Sequence, residues 1–232
     1  KRGLSFHVFD HKLPNNPSMV AGGVVNPIVF RRYVPSWRAS ELMPLTSAFF
    51  MDWEKRLGIQ CWRPMPLVKI FSTPNETRSS ADGMANRGTA SSMSGPPDPE
   101  IDDAPLHAPH GYGTVTDAAW LNVPRLLAAQ RTELLKVGRL TETNVAESDI
   151  SITRTGARIG DLHGRWLVRC TGPFVPVPGL VPVKGETLTV RMPGLRLSRM
   201  VHGGIFVLPV GDGLFRVVST FKWTDVWGGP KE

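Results

Sequence analysis

Apolar residues recur every three or four positions in two parts of the chain, and this spacing predicts two helices. In residues 37–57 the apolar positions fall on one stripe, and Gly58 follows as a helix-terminating residue. In the second part, Asn122 stands where a capping residue is needed, Pro124 occupies the first turn, and Gly138 ends the pattern. We therefore expect helices over residues 37–57 and 122–138.

Strands are predicted by short apolar runs and by alternation of apolar and polar residues. The short runs cover residues 4–10, 66–71, 111–115 and 166–170. The alternating segments cover residues 187–191, 204–208 and 214–220, with a hairpin turn at Gly211, Asp212 and Gly213, and a smaller hairpin is predicted over residues 151–160. Strand–helix–strand order is typical of a parallel sheet and consecutive hairpins of an antiparallel sheet. The sequence thus predicts a mixed α/β fold.

Residues 75–105 interrupt this pattern. They are rich in Ser, Gly, Pro, Asp and Asn and almost free of large apolar residues. Such a composition is typical of a surface segment. We expect a mobile surface excursion here that contains one short helix.

Composition and charge narrow the class of protein. Of the 232 residues, 41% are hydrophobic and 20% are charged, which excludes wholesale disorder, a collagen and a coiled coil. The net charge of +7 is spread along the chain, with its tightest cluster at Arg31 and Arg32, and this spread argues against a nucleic-acid surface. Since no run of 18 apolar residues occurs, no membrane-spanning helix is predicted.

The reactive residue types form no recognisable catalytic or metal-binding pattern. Cys61 and Cys170 both adjoin apolar residues, so we expect both to be buried, and two cysteines are too few for a disulfide scaffold, which indicates a reducing compartment. The six histidines make no metal-ligand spacing with them, so no metal site is predicted. Neither a G-x-S-x-G turn nor a phosphate-binding P-loop is present. The sequence therefore assigns no catalytic residue.

Asp10 closes the first predicted strand. In dinucleotide-binding folds an acid at this kind of position accepts hydrogen bonds from the adenosine ribose hydroxyls. An acid that ends a strand is also a common turn former. The residue pattern alone leaves both interpretations open.

Two small-residue segments could also lie beside a ligand. Ser18 and the Ala21-Gly22-Gly23 run offer exposed backbone and one hydroxyl, which suits a phosphate or a flat ring, although a tight buried turn needs the same residues. The predicted strand over residues 166–170 ends at Thr171 and Gly172, where open α/β sheets leave room for a ligand. An ordinary exit from strand to loop would look the same.

Taken in order, these segments resemble the FAD-dependent oxidoreductases of the D-amino-acid oxidase superfamily. The resemblance covers the strand that ends in Asp10, residues 18–27 and residues 120–127, together with a strand end like V-x-A-x-G at residues 167–172, a segment like P-x-x-G-Q-x-L at residues 182–188, and the hairpin of residues 205–223. The chain departs from the family pattern where Asp10 replaces the usual Glu, Thr171 an Ala or Ser, and Glu186 a Gln.

The resemblance implies a Rossmann-like FAD-binding domain, incomplete in this chain, and an antiparallel-sheet substrate domain. In such a protein Asp10 would hold the ribose, Ser18 would reach the pyrophosphate, and the glycine run would lie along the flavin. The residues implied to bind FAD are Asp10, Ser18, Ala21, Gly22, Gly23, Val145 (beside the adenine), Thr171 and Gly172. Phe206 lies where some relatives carry a substrate-facing aromatic residue.

The implied chemistry is removal of a hydride from the carbon beside the nitrogen of a small amine or amino acid, with FAD as its acceptor and oxygen or another acceptor reoxidising the flavin. A flavin-dependent tRNA-modifying oxidase of the same fold and a non-catalytic α/β binding protein remain as alternatives. No membrane partner is expected, nucleic acid is expected only for the tRNA alternative, and the expected location is cytoplasmic.

The implied domains alternate along the chain. Residues 1–60 and 120–180 are assigned to FAD binding, and residues 61–119, with the excursion of residues 75–105, and 181–232 to the substrate domain. The family's G-x-G-x-x-G turn and its C-terminal stretch do not occur in the sequence, and residues 1–3 resemble a helix end. We therefore expect a fragment that by itself holds FAD poorly and is inactive.

Overall fold

A computed structural model describes residues 3–13, 16–94, 106–175, 177–218, 222–224 and 226–228. The chain forms two compact units. The small unit comprises Lys1–Met19 and Pro124–Pro182, and the large unit comprises Val20–Val123 and Val183–Glu232. This division keeps residues 20–60 with the large unit. The functional domains implied by the sequence remain a prediction, because a grouping by compactness assigns no ligand to either unit.

The helices and strands largely occupy the predicted segments. The helices are α1 (Pro17–Val20), α2 (Ala39–Leu57), α3 (Pro74–Asn86) and α4 (Val123–Lys136). The strands are β1 (Val8–Phe9), β2 (Val24–Val25), β3 (Ile28–Val29), β4 (Val34–Pro35), β5 (Trp62–Pro64), β6 (Leu67–Ile70), β7 (Met93–Ser94), β8 (Tyr112–Val115), β9 (Ala119–Leu121), β10 (Leu140–Thr141), β11 (Ile150–Thr153), β12 (Gly156–Ile159), β13 (Leu162–Gly164), β14 (Thr187–Arg191), β15 (Met200–His202), β16 (Phe206–Gly211) and β17 (Leu214–Val218).

The large unit is built on a mixed sheet in the order β14-β17-β16-β15-β6-β8-β7. Strands β6 and β15 run parallel, and the other neighbours in this sheet run antiparallel. The predicted hairpin between β16 and β17 is present, and Asp212 in its turn has φ 54°. The core of this unit contains Leu67, Val115 and Met200 from the central strands and Leu208 from β16. The sequence-based α/β assignment therefore holds, with one parallel pair inside a mainly antiparallel sheet.

Helix α2 begins two residues later than predicted and ends as predicted. Gly58 has φ 62°, and its N–H donates to the carbonyl of Glu54. The Glu54 carboxylate in turn accepts the N–H groups of Cys61 (2.6 Å) and Trp62 (2.8 Å), which directs the chain into β5. The apolar stripe is less covered than its pattern indicates, since Leu45 is 65% exposed and Phe49 54%.

The first part of the predicted excursion is packed secondary structure. Helix α3 begins at the cap Thr73, whose hydroxyl accepts the Glu76 N–H at 3.2 Å, and β7 extends the sheet. Ser80 and Gly83 are buried because their small side chains let α3 approach the backbone closely: a Cβ on Gly83 would lie 2.6 Å from the Tyr33 carbonyl oxygen. The short helix expected in this segment is therefore present and packed, the expected mobility of residues 75–94 stays a prediction, and residues 95–105 lie outside the described residues.

The small unit contains a parallel pair, β1 with β10, and a three-stranded antiparallel sheet, β11-β12-β13, together with α4. The first predicted strand is short, since only Val8 and Phe9 pair with a neighbour. Helix α4 begins beside Asn122 as the capping pattern indicates. The term Rossmann-like remains a prediction for this unit.

The predicted buried strand at residues 166–170 does not form. These residues belong to no strand, Trp166 is 80% exposed and Val168 is 78% exposed. Cys170 is exposed as well, so the expectation of two buried cysteines is correct only for Cys61. An apolar run becomes a strand only when a neighbouring backbone satisfies its N–H and C=O groups, and no strand of the described part of the chain pairs with this one.

Candidate cofactor and substrate site

Asp10 lies where the sequence pattern puts it, at the carboxyl end of β1. Its backbone N–H donates to the Thr141 carbonyl at 3.1 Å, which continues the parallel pairing with β10 by one more residue. Its side chain is 47% exposed, and one carboxylate oxygen accepts the Lys12 N–H at 3.1 Å. The carboxylate is therefore held by its own turn and still reaches solvent.

Arg131 of α4 fixes the other side of this carboxylate. Its guanidinium forms an ion pair with Asp10 and donates from Nε to Glu142 Oε1 at 2.6 Å. Burial alone would lower the pKa of Arg131, but the hydrogen bonds to Glu142 and Asp10 raise it above its ordinary value. The structure thus joins two acids from the ends of β1 and β10 through one permanent cation. Sequence reasoning named Asp10 and missed Arg131 and Glu142.

The other predicted cofactor residues of the small unit are at least partly accessible. Val145 is partly exposed and follows β10 and Glu142 along the chain, and Ser18 is exposed on the one-turn helix α1. Thr171 and Gly172 are exposed, and Gly172, at φ 58°, has no atom within 4 Å of where a Cβ would lie. Nothing in the structure tests their assignment to FAD, which stays a prediction.

The small-residue turn of residues 21–23 is anchored to the large unit by its carbonyl groups. The carbonyls of Ala21, Gly22 and Gly23 accept hydrogen bonds from three groups, which are Arg216 Nη1 (2.9 Å), Trp120 Nε1 (3.0 Å) and the Leu121 N–H (2.8 Å) respectively. Gly23 has φ 76°, and a Cβ there would lie 2.0 Å from the Leu121 carbonyl oxygen. Glycine is thus required at position 23 by the fold itself, which supports the tight-turn interpretation of that residue.

Gly22 and Phe206 converge on one side chain. A Cβ on Gly22 would lie 3.0 Å from Val218 Cγ2 and 3.4 Å from Leu208 Cδ1. Val218 in turn is the direct cross-strand partner of Phe206. Because directly paired residues project from the same face of a sheet, Phe206 lies on the face that the glycine turn covers. The structure therefore brings together a residue predicted to contact flavin and the residue predicted to face substrate.

Phe206 belongs to a row of directly paired residues that crosses five strands on this face. The row is Thr187, Val218, Phe206, His202 and Lys69. The His202 ring lies 4.2 Å from the Phe206 ring between centroids and stacks on Phe30 at 5.4 Å. Burial, and then the nearby positive charge of Lys69, lower the pKa of His202 to about 4.

Arg216 is a further polar residue of this face that sequence reasoning missed. It is directly paired with buried Leu208 and lies two residues from Val218, so its side chain shares their face. Its Nη1 holds the Ala21 carbonyl, its Nε is buried without a hydrogen-bond partner, and no carboxylate of the described residues forms an ion pair with it. An arginine at an inward-facing position of an alternating strand was the available signal.

The described residues contain neither a metal-binding cluster nor a membrane-spanning helix. No group of three or more His, Cys, Asp or Glu side chains there could hold a metal ion. Within the same residues, no helix is both long enough and apolar enough to cross a membrane.

Comparison with known proteins identifies the fold. No family model matches the chain. Glycine oxidase from Geobacillus kaustophilus aligns with 92% of the chain at a TM-score of 0.72 and 20% sequence identity. Iminodiacetate oxidase from Chelativorans sp. BNC1 aligns with 97% of the chain at a TM-score of 0.66 and 14% sequence identity. L-α-glycerophosphate oxidase from Mycoplasma pneumoniae, solved with FAD bound, aligns with 92% at 0.54 and 14%.

These alignments cover 64%, 68% and 63% of the three solved chains respectively, so this chain spans about two thirds of their length. Glycine oxidase and iminodiacetate oxidase belong to the D-amino-acid oxidase superfamily of FAD-dependent oxidoreductases. The predicted resemblance to that superfamily is therefore confirmed at the level of the fold, and identities of 20% or less carry it no further.

Proposed function

We propose that this chain provides part of an FAD-dependent oxidoreductase that oxidises a small amine or amino acid. The observation that carries the proposal is the convergence of Gly22 and Phe206 on Val218, described above. These residues are 184 positions apart in the sequence, from 206 − 22. The resemblance assigns Gly22 to the flavin and Phe206 to the substrate. A flavin enzyme needs its substrate against the flavin ring, so the two assignments support each other.

The residues of the large unit suit the flavin end of FAD and a substrate beside it. The turn of residues 21–23 carries no large side chain, so its backbone can approach a flat ring. Arg216 adds a positive charge next to this turn, which is complementary to an anionic group of the cofactor or of an amino acid. Phe206 is partly buried and offers an apolar surface for the carbon side of a substrate.

The residues of the small unit suit the adenosine end. Asp10 keeps an accessible carboxylate while Arg131 and the Lys12 N–H fix its orientation, so a ribose hydroxyl can donate to it without reorganising the site. The open space at Gly172 leaves room for a ribose-phosphate group. These residues therefore fit the cofactor. That they line one continuous trough with residues 21–23 remains a prediction.

FAD, when bound, would supply the acceptor for a hydride released from the carbon beside the amine nitrogen. The residues of this chain would bind and orient the reactants: Asp10 the ribose, the glycine turn the ring, and Phe206 the substrate. No side chain is assigned to proton transfer. The His202 ring lies 4.2 Å from that of Phe206, and burial and the charge of Lys69 lower its pKa to about 4, so it does not act as an acid near neutral pH.

The test is a flavin spectrum of the natural protein that carries this sequence, followed by anaerobic addition of amines and amino acids. We expect bound FAD whose absorbance near 450 nm is bleached by at least one such compound. A purified protein that neither contains nor binds FAD would overturn the proposal. Bound FAD that no amine reduces would favour the non-catalytic alternative, and salt-sensitive tRNA binding would favour the tRNA-modifying one.

A further inference from the structure

His202 occupies a position that the proposed chemistry does not use. It lies between Phe206 and Lys69 in the cross-strand row, and its ring packs against two aromatic rings, Phe206 at 4.2 Å and Phe30 at 5.4 Å between centroids. Its Nδ1 is buried and has no hydrogen-bond partner among the described residues. A polar ring in this setting needs an explanation, because a buried unpaired nitrogen is unfavourable.

Lys69 is the second unusual residue of the row. Its side chain is only 4% exposed, and lysines are almost never buried without a partner. Its ammonium donates to the Ile70 carbonyl at 2.9 Å and pairs with Glu76 of α3 at 3.3 Å. The Glu76 carboxylate also accepts the Ser72 N–H at 2.6 Å. One buried cation is thus matched by one carboxylate.

The charge balance leaves no room for a second cation. Two charged groups act on the pKa of His202: Lys69 on the adjacent strand β6 lowers it, and Glu76 on helix α3 raises it. The effect of Lys69 is the larger of the two. The other titratable group near Glu76 is the Tyr33 hydroxyl, which burial and Glu76 keep neutral by raising its pKa. A protonated His202 would gain some cation–π attraction from the Phe30 and Phe206 rings. It would also place a second buried positive charge close to the Lys69 ammonium, which is unfavourable.

We propose that His202 is a positioning residue for the substrate-facing surface: its buried ring packs against Phe30 and Phe206 and holds Phe206 in place, and burial beside the Lys69 ammonium keeps that ring uncharged. This proposal rests on the proposed function in one respect, namely that Phe206 faces the substrate. The packing and the electrostatics of the row are independent of FAD. The consequence is a substrate surface whose shape and charge do not change between pH 5 and pH 8.

The first experiment follows the six histidine rings of the 232-residue chain by NMR during a pH titration, with the His202 signal assigned by its loss in His202→Phe. We expect His202 not to titrate between pH 8 and pH 5. In Lys69→Met its proton affinity should rise by at least tenfold, which is one pKa unit, and Lys69→Arg should keep it suppressed. The Phe206 ring signals should then move with the His202 titration in Lys69→Met.

A variant that changes both charges guards against misfolding. Lys69→Met combined with Glu76→Gln leaves neither buried charge without its partner. The double variant should still raise the proton affinity of His202, because Lys69 lowers the pKa of His202 by more than Glu76 raises it. Titration of His202 near pH 6.5 in the unchanged chain would overturn the proposal. An unchanged pKa of His202 in both Lys69→Met and the double variant would also overturn it. So would Phe206 ring signals that do not shift when His202 becomes protonated.

The second experiment uses the FAD-loaded natural protein and an amine that reduces it. His202→Ala should raise KM about tenfold with a smaller change in kcat. His202→Phe, which again provides a ring to pack against Phe206, should return KM most of the way to its value in the unchanged protein. Equal effects of the two variants would overturn the positioning role. If the protein binds no FAD, the proposed function fails, while the NMR titration still decides the packing and charge of the row.

Discussion

Single residues of the described part of the chain set the local geometry of the candidate residues within each unit. Asp10 is oriented by its own turn and by Arg131, and Gly23 allows the backbone of the small-residue turn to pass against the Leu121 carbonyl. These two positions differ in kind. The Asp10 carboxylate is partly exposed to solvent, where we propose that it meets a ligand, whereas the requirement at Gly23 comes from close packing within the fold.

Replacement of Asp10 by Ala should weaken FAD binding in the natural protein by about 1–3 kcal/mol, because a ribose hydroxyl would lose its acceptor. The measurement is a titration of the apoprotein with FAD. Glu142→Ala is the matched control, since it removes the other carboxylate paired with Arg131 without removing the proposed ribose contact. An equal loss of affinity in both variants would show that Arg131, and not Asp10, is responsible.

Replacement of Gly23 by Ala should destabilise the chain by about 3 kcal/mol or more, because a left-handed conformation and a backbone clash are combined there. Gly138→Ala provides the comparison, since Gly138 has φ 66° but open space around its Cβ position, and it should cost about 1 kcal/mol. Urea unfolding measures both. A Gly23 variant no less stable than the Gly138 variant would contradict the close contact with Leu121.

At the scale of the element, helix α3 shows how capping outweighs composition. Residues 75–105 are polar and rich in small residues, yet the helix forms because Thr73 caps it, Pro74 occupies its first position, and the Glu76 carboxylate accepts the Ser72 N–H. This cap was visible in the sequence. The small residues, which look like surface composition, are the ones that let α3 pack closely on the backbone of Tyr33.

The cap yields a quantitative expectation. Thr73→Ala should lower the free energy of unfolding by about 1 kcal/mol because the Glu76 N–H loses its acceptor, and Thr73→Ser should retain most of the stability because it keeps the hydroxyl oxygen. Urea unfolding of the three proteins measures the difference. Equal losses in the two variants would indicate that the methyl group of Thr73, rather than its oxygen, stabilises the helix end.

At the scale of the whole molecule, buried charge links stability to pH. The pKa of His202 is about 4 in the folded chain and near 6.5 when unfolded, so the unfolded state binds more protons between these values. The stability contribution of neutral His202 is therefore complete above pH 6.5 and is lost as the pH falls toward 4. Burial alone would raise the pKa of Glu76, but the Ser72 N–H and Lys69 hold it below its ordinary value, so its contribution is also lost on acidification.

The difference between the unchanged chain and His202→Phe isolates the histidine. Between pH 7 and pH 4.5 the unchanged chain should lose about 1–3 kcal/mol more stability than the variant, in which this position cannot take up a proton. Urea unfolding at the two pH values gives the comparison. A parallel decline of both proteins would show that His202 binds its proton equally well in the folded and the unfolded state, which would contradict the lowered pKa.

Local sequence determined which segments become helices and strands wherever the periodicity agreed with a cap or a turn, as at Gly58 and the Gly211–Gly213 hairpin. It also predicted which residues would suit a dinucleotide, since a strand-ending acid and a glycine run are local features. It failed at residues 166–170, because a strand needs a partner that an apolar run does not specify.

Only the tertiary structure decided which of these residues meet. Arg131 joins Asp10 to Glu142 because β1 and β10 are parallel, and Gly22 meets Val218 opposite Phe206 because the turn crosses that face of the sheet. The lowered pKa of His202 likewise depends first on its burial in the sheet and then on a lysine 133 positions away, from 202 − 69. Such contacts follow from strand order and register across the whole sheet, whereas the periodicity of a sequence carries information only about neighbours within a few turns.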